Sequence, residues 1–506
     1  MTVLRQEYRD GIWREPAPLR RVARLEYYPW LVVGTVCIGA FMGQVDASIA
    51  QLVLPEVERD FHVSIGAAAW VSIAYLLVAA AMLPVFGRLA DMVGRKLLYC
   101  GGFLVFVTGS ALCGLAPSLD TLVGARVLQA LGAGLLQANS IAIIVGAAAE
   151  SRRGRALGLQ SAAQAVGLSA GPALGGFLIA ALGWRWVFWV NLPVGLLGSV
   201  LGLLVLPQTE RRPGAATPSL ATFDVTGAVL LVPSLGLLMF ALNEAGHAGF
   251  RSPFLIGPLL VGLLLLIGFV RCEQRTVSPL VDLGLFRNAV FVAGNVAGLL
   301  SYAMLFGAFF VLPFVLERAY GDSPWTAGLR LSVIPVALGL VAPLSGALYD
   351  RLGARFLTVS GMVAALVGLL ALSFALETGR LTLATVALVL FGIGQGLFTA
   401  PNNSAIMASA AAEQSGQAGG VLFVMRSLGM SLGISLASVI LAWQLPVLPG
   451  RPQTTLGIPA QLLVRGAVAS FIVFAALAAV AALLCFVRAE HGAARRGRMS
   501  LTEFGE

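Results

Sequence analysis

Asp46, Arg126 and Arg426 each fall inside a long apolar run of this 506-residue chain, at 30–52, 121–146 and 416–442. Ionisable groups in such runs are costly in hydrocarbon, so they pair, face water or carry function. Asp46 lies 16 residues past Trp30, about 24 Å along a helix at 1.5 Å per residue. An ionised, unpaired carboxylate is unfavourable there, which suits it to taking up a proton or meeting a cationic solute, but not both together. That competition is the simplest chemistry for exchanging protons against a substrate. Arg126 lies near the start of its run, about 7–8 Å in. That run starts from the opposite face to the first, so Arg126 and Asp46 both lie in the same half of the membrane and can pair. Arg426 lies near mid-depth and needs a partner or water.

Other polar residues in the apolar runs extend this constellation. Arg126, Gln129, Ala133, Gln137 and Ser140 fall in one narrow arc of a helix, a stripe suited to a wet cavity. Gln160, Gln164, Gly167, Gly171 and Gly175 share a face of the run 156–181, where Pro172 can bend the helix. Small residues every four positions permit close helix approach. This face is expected to seal two helical bundles against each other in one conformation. Asn295, Tyr302, Gln395, Asn402 and Asn403 are further candidates for a cavity wall.

The elements that hold these residues must be membrane helices. The chain is 58% hydrophobic and 11% charged, against about 25% charged in soluble domains. Fourteen spans are expected, near 30–52, 66–86, 97–117, 121–146, 156–181, 186–206, 224–243, 253–271, 289–312, 325–348, 356–376, 381–407, 416–442 and 465–487. The fold class is therefore an all-α polytopic membrane protein of two six-helix bundles with two extra central helices. The expected divisions are a tail 1–29, a first bundle 30–207, a linker 208–222, two additional spans in 223–272, a linker 273–288, a second bundle 289–488 and a tail 489–506. The first 29 residues are polar and arginine-rich, without the apolar core of a cleaved leader.

With this topology, 23 of the 33 Lys and Arg fall on one face and 8 on the other. A bias near three to one predicts that both termini are cytoplasmic. It also accounts for the net charge of +9 without a nucleic acid partner. Between the second and third spans lies Gly87-Arg88-Leu89-Ala90-Asp91-Met92-Val93-Gly94-Arg95-Lys96, and a weaker copy returns at 346–355 with Asp350 in the place of Asp91. Such a repeat in two halves implies a duplicated architecture. Arg88, Arg95 and Lys96 fit orientation anchors, but Asp91 does not, because acidic residues contribute little to topology. Asp91, Arg88, Gly94, Arg95 and Asp350 are the candidate conformational latch. Asp224 is expected to cap a helix N-terminus, and Asp282 lies in the linker before the ninth span. The five cysteines form no C-x-x-C pair and read as apolar packers. His62, His247 and His491 lie at or beyond span ends, so no metal site is suggested, and no phosphate-binding G-x-x-x-x-G-K-[ST] loop or other cofactor motif is present.

These motifs resemble the major facilitator superfamily, in its fourteen-span drug:proton antiporter branch. Residues 87–96 match the family's signature loop. Arg126 to Gly134 resembles its fourth-helix arginine motif, and Gly167 to Gly176 its fifth-helix antiporter motif. Asp46 to Pro55 resembles the first-helix motif of the branch, with departures at Ala47 and Gln51, and Trp184 to Pro193 is typical of it. The resemblance implies no enzyme but a monomeric, proton-coupled exporter of lipophilic or cationic drug-like compounds, working by alternating access in a bacterial plasma (inner) membrane. The partners so implied are the small-molecule substrate, protons and the lipid bilayer. An exporter of one dedicated metabolite, a proton-uncoupled facilitator and a non-transporting sensor are the alternatives.

Overall fold

The computed structural model describes residues 15–209, 224–248, 253–276, 282–411, 414–446 and 453–502. Helices run in chain order as α1 (Tyr28–Phe61), α2 (Ile65–Val93), α3 (Arg95–Leu115), α4 (Leu119–Ala147), α5 (Arg153–Leu182), α6 (Asn191–Val205), α7 (Val225–Ala248), α8 (Pro253–Glu273) and α9 (Ala289–Arg318). A continuous run, Pro324–Glu377, carries a non-helical residue, Gly353 (φ 75°), close to the junction of its two apolar spans, α10 (Pro324–Tyr349) and α11 (Arg351–Glu377). The series ends with α12 (Leu381–Ala408), α13 (Ser415–Trp443) and α14 (Ala460–Thr502). Among the described residues, 13 helices are long and apolar enough to cross a membrane. The apolar part of α7, Thr226–Leu242, is shorter. The sixth expected span is divided, a single turn Trp186–Trp189 preceding α6. Most of the expected linker 208–222 lies outside the described residues, as do parts of both tails and of 273–288.

Local chemistry sets the helix ends. Ser64 caps α2, Ser118 and Thr121 form a reciprocal capping box on α4, and Asn288 and Ser323 cap α9 and α10. Asp224 accepts from the Gly227 amide at 2.8 Å, and Asp282 from that of Gly284 at 2.7 Å, both acting as caps. The two repeated hairpins share a backbone device. Gly94 (φ 119°) turns α2 into α3, as Gly353 turns α10 into α11. Side chains rarely adopt either conformation, which explains why glycine recurs in both copies.

In the first half, α1 packs on α5, α4 and α6, and α3 lies between α4 and α6. Gly109 and Gly132 let the backbones of α3 and α4 touch. In the second half, α9 packs on α13 and α14, while α11 and α12 meet at Gly361, Gly368 and Gly394 in the same way. The halves face each other through α5 with α10, α2 with α13, and α1 with α9. The two extra helices pair with each other, and α7 lies across the seam, against both α2 and α13.

The face carrying the 87–96 hairpin is here the loop face. Contacts between the halves gather at the opposite face. There Arg318 donates to the Pro55 carbonyl at 2.8 Å, the Ile65 amide to the Gln453 carbonyl at 3.1 Å, and the Thr455 amide to Glu58 Oε1 at 2.6 Å. Gly176 meets the Pro324 carbonyl, and Gly328 meets that of Pro172. Towards the loop face, Gly87, Gly154, Gly158 and Gly346 look into open space.

Candidate functional site

Asp46 is fully buried in the first half, held by three side chains from two helices. Arg126 Nη1 of α4 donates to its Oδ2 at 2.7 Å. Gln129 Nε2 of α4 and Asn191 Nδ2 of α6 donate to its Oδ1 at 2.8 and 3.0 Å. Arg126 also donates through Nε to the Val71 carbonyl at 2.9 Å and through Nη1 to Gln129 Oε1 at 2.8 Å. Asn191 donates further to Ser110 Oγ at 3.1 Å, and Ser110 donates to the Phe188 carbonyl at 2.8 Å. The result is a charge-neutral, hydrogen-bonded knot tying α1, α2, α3, α4 and α6. A buried ion pair persists only when its remaining lone pairs and protons are satisfied in this way.

The Tyr75 ring separates this knot from a central cavity. The Arg126 guanidinium lies 4.1 Å from the centroid of that ring. The cavity wall takes Gln44 and Ala47 from α1, Tyr75 from α2, Gln137 and Ser140 from α4, and Arg426 and Ser427 from α13. Both halves therefore contribute. Arg426 Nη2 donates to Gln44 Oε1 at 3.0 Å, a hydrogen bond across the centre of the molecule. Its guanidinium rests 4.7 Å from the centroid of the Tyr302 ring. A smaller adjoining cavity between α9, α12 and α13 shares Arg426 and is lined by Asn295, Tyr302, Asn402 and Asn403.

The expected stripe on α4 is thus divided. Arg126 and Gln129 turn into the knot, and Gln129 is fully buried there and is not among the described residues lining the central cavity. One turn later Ala133, Gln137 and Ser140 face the cavity. Asp46, expected to meet a substrate directly, lies behind Tyr75. Gln160 donates to Ser140 Oγ at 2.9 Å and supports the wall from α5, while Gln164 is half-buried on the same helix. Asn295 turns its amide nitrogen back to the Phe291 carbonyl at 2.9 Å.

The small-residue face of α5 serves a different contact from the one expected. Gly167, Gly171 and Gly175 press on Phe41, Ser48 and Ile49 of α1, inside the same half. The seal between halves is made next to them by Gly176 and the Pro172 carbonyl, against α10. The side chains of Arg88, Asp91 and Asp350 lie outside the described residues. Of the remaining candidate latch residues, Gly94 packs on Glu15, and the Arg95 amide donates to Thr209 Oγ1 at 2.8 Å.

Several contacts had no reading in the sequence. Lys96, 1% exposed, is no surface anchor: its Nζ donates to the Pro16 and Leu206 carbonyls at 2.7 and 2.8 Å, tying the N-terminal segment to the end of α6. Glu58 is fully buried and accepts from the amide and hydroxyl of Thr455, bracing α1 to the segment before α14. The signal for Glu58 was its place in Glu56-Val57-Glu58-Arg59-Asp60, which looks like an ordinary solvated helix end.

Comparison with known proteins fits this architecture. Residues 36–434 match the Major Facilitator Superfamily. The chain is 34% identical to the riboflavin transporter RibZ of Clostridioides difficile, over 82% of this chain and 89% of that protein. It is 33% identical to the multidrug resistance protein B homolog of Mycobacterium tuberculosis H37Rv, over 81% and 76%. Its fold overlays that of a bacterial homolog of the human lysosomal transporter Spinster with a TM-score of 0.66 at 16% identity, covering 92% of this chain and 98% of that one. Two packed helical halves, a cavity between them and this similarity along most of the chain lead to one assignment: the chain belongs to the major facilitator superfamily, in its multidrug-efflux branch.

Proposed function

We propose that this transporter exports aromatic drug-like compounds or a related metabolite in exchange for protons, with the loop face and both termini in the cytoplasm. The observation that carries the reading is the Gln44–Arg426 hydrogen bond in a cavity walled by both halves. A solute bound there touches α1 and α13 together, so it senses their relative position. The halves meet at the face opposite the loops, which corresponds to a cavity entered from the cytoplasm. Export then requires that face to part and the loop face to close, with Asp91, Arg88, Gly94, Arg95 and Asp350 as the latch. The Asp46–Arg126 pair is the proposed coupling element. Protonating Asp46 removes its charge and frees Arg126, whose guanidinium lies against a cavity-lining tyrosine. The similarity to a riboflavin transporter favours a second reading within the same mechanism, a single planar metabolite as the cargo.

The test uses proteoliposomes with an imposed pH gradient and a trapped pH indicator, offered aromatic antibiotics and riboflavin. Substrate-evoked proton movement that Asp46→Asn abolishes is expected. Substrate flux without proton movement, unchanged by that substitution, overturns the coupling. Absence of any flux overturns the transport reading.

A further inference from the structure

The central cavity has one formal charge in its described wall, and it is positive. The other polar lining groups, Gln44, Tyr75, Gln137, Ser140 and Ser427, are neutral, and no Asp or Glu is among the described lining residues. Asp46, the intramembrane carboxylate nearest in sequence, is neutralised by Arg126 and screened by Tyr75. Arg426 forms no ion pair among the described residues. Its charge is met by one amide oxygen, Gln44 Oε1, and by the face of Tyr302, while its buried Nε has no hydrogen-bond partner. A guanidinium in a low-dielectric site without a counter-ion repels cations and favours an anion that completes its hydrogen bonds. Beside Gln44 the rest of the lining is largely small or apolar. Gly39, Ala40, Gly43 and Ala47 leave α1 with almost no side-chain relief, and Phe423 and Met430 face it. Such a slot accepts a planar ring better than a branched body.

From this geometry we infer that the cavity selects planar aromatic compounds bearing an anionic group, a carboxylate or an ionised phenol or enol, which pairs with Arg426. This deepens the proposed function and rests on it, since it names the charge of the cargo at the same site. It runs against the lipophilic cations that the sequence motifs suggest. Arg426 also borders the adjoining cavity of Asn295, Asn402 and Asn403, so a second polar edge of the solute can reach amide groups there.

The experiment compares two dyes with one ring system and opposite charge, fluorescein and rhodamine 123. Binding to the full-length protein is read by fluorescence anisotropy in phosphatidylcholine nanodiscs, with empty discs subtracted. Fluorescein is expected to bind at least about tenfold more tightly than rhodamine 123. Arg426→Gln is expected to remove most of that preference, Arg426→Lys to keep much of it, and Arg426→Glu to reverse it. Thermal melting of each variant in detergent checks that it is folded. Rhodamine 123 binding as tightly as fluorescein overturns the inference, as does fluorescein affinity unchanged in a folded Arg426→Gln, or no binding of fluorescein. Because the readout is equilibrium binding, it can fail while proton-driven transport stands, and the reverse.

Discussion

Arg126 Nη1 lies 2.7 Å from Asp46 Oδ2, with the two side chains 1% and 0% exposed. Neither charge has water to fall back on. Removing one partner of such a pair costs about 3–5 kcal/mol, because the other is left buried and unpaired. Arg126→Gln is therefore expected to lower the melting temperature sharply unless Asp46 takes up a proton. Asp46→Asn/Arg126→Gln together are expected to cost clearly less than the two single changes added. A thermal double-mutant cycle in detergent measures this. Additive single effects would show that the pair is not coupled.

Tyr75 is the partition between that pair and the cavity. Its ring covers the Arg126 guanidinium and its other side lines the cavity wall. Tyr75→Phe preserves the partition and is expected to leave substrate-evoked proton movement within about twofold of native, since a cation–π contact is worth only about 0.5–2 kcal/mol and phenylalanine retains most of it. Tyr75→Ala opens the ion pair to cavity water. It is expected to produce proton movement without substrate, read as a leak in proteoliposomes under an imposed pH gradient. Tight proton coupling in Tyr75→Ala would remove the partition role.

Part of this arrangement was legible in the sequence. Matching depths in two apolar runs place Asp46 and Arg126 together, because the rise of a helix is constant. The recurrence of glycine at 94 and 353 likewise forecast two equivalent hairpins. Depth, however, says nothing of how a helix is rotated about its axis. Gln129 therefore seemed to belong with Gln137, though the structure turns one into the knot and the other to the cavity. Asn191 was hidden because a lone amide in an apolar span carries no address for its partner. Lys96 reads as an anchor because a lysine at the end of a span has an adequate topological explanation, and only the chain returning at Pro16 and Leu206 reveals its contacts.

Glu58 and Thr455 brace the closed face, and their loss should be felt in opening. Hydrogen bonds to a charged group contribute about 1.5–3 kcal/mol. Thr455→Val removes the hydroxyl partner and keeps the backbone one, so the closed state is expected to weaken by roughly tenfold in population or more. The measurement is the labelling rate of a cysteine introduced at Ala327, a fully buried position at that end of α10, by a membrane-impermeant maleimide in a background without native cysteines. Faster labelling in Thr455→Val supports the brace, and an unchanged rate removes it.

The glycines of α5 divide by the neighbour they touch, and substitution should divide in the same way. A Cβ on Gly171 would overlap Ser48 Oγ and come within 3.1 Å of the Val45 carbonyl, so α5 could no longer seat on α1. Gly171→Val is expected to cost about 1–3 kcal/mol or more, as overpacking does, and to reduce folded protein in every conformation. Gly176 instead meets the Pro324 carbonyl of the other half. Gly176→Ala is expected to spare folding of the first half but to disfavour closure of the face opposite the loops. The population should then shift towards the state open at that face, with faster labelling at Ala327→Cys. Gly158, which faces open space, supplies the control: Gly158→Ala should be neutral or slightly stabilising, since alanine favours the helix by about 1 kcal/mol. Equal loss of folded protein in Gly176→Ala and Gly171→Val would mean that α5 has a single packing role and that the seam between halves is not where conformational preference is set.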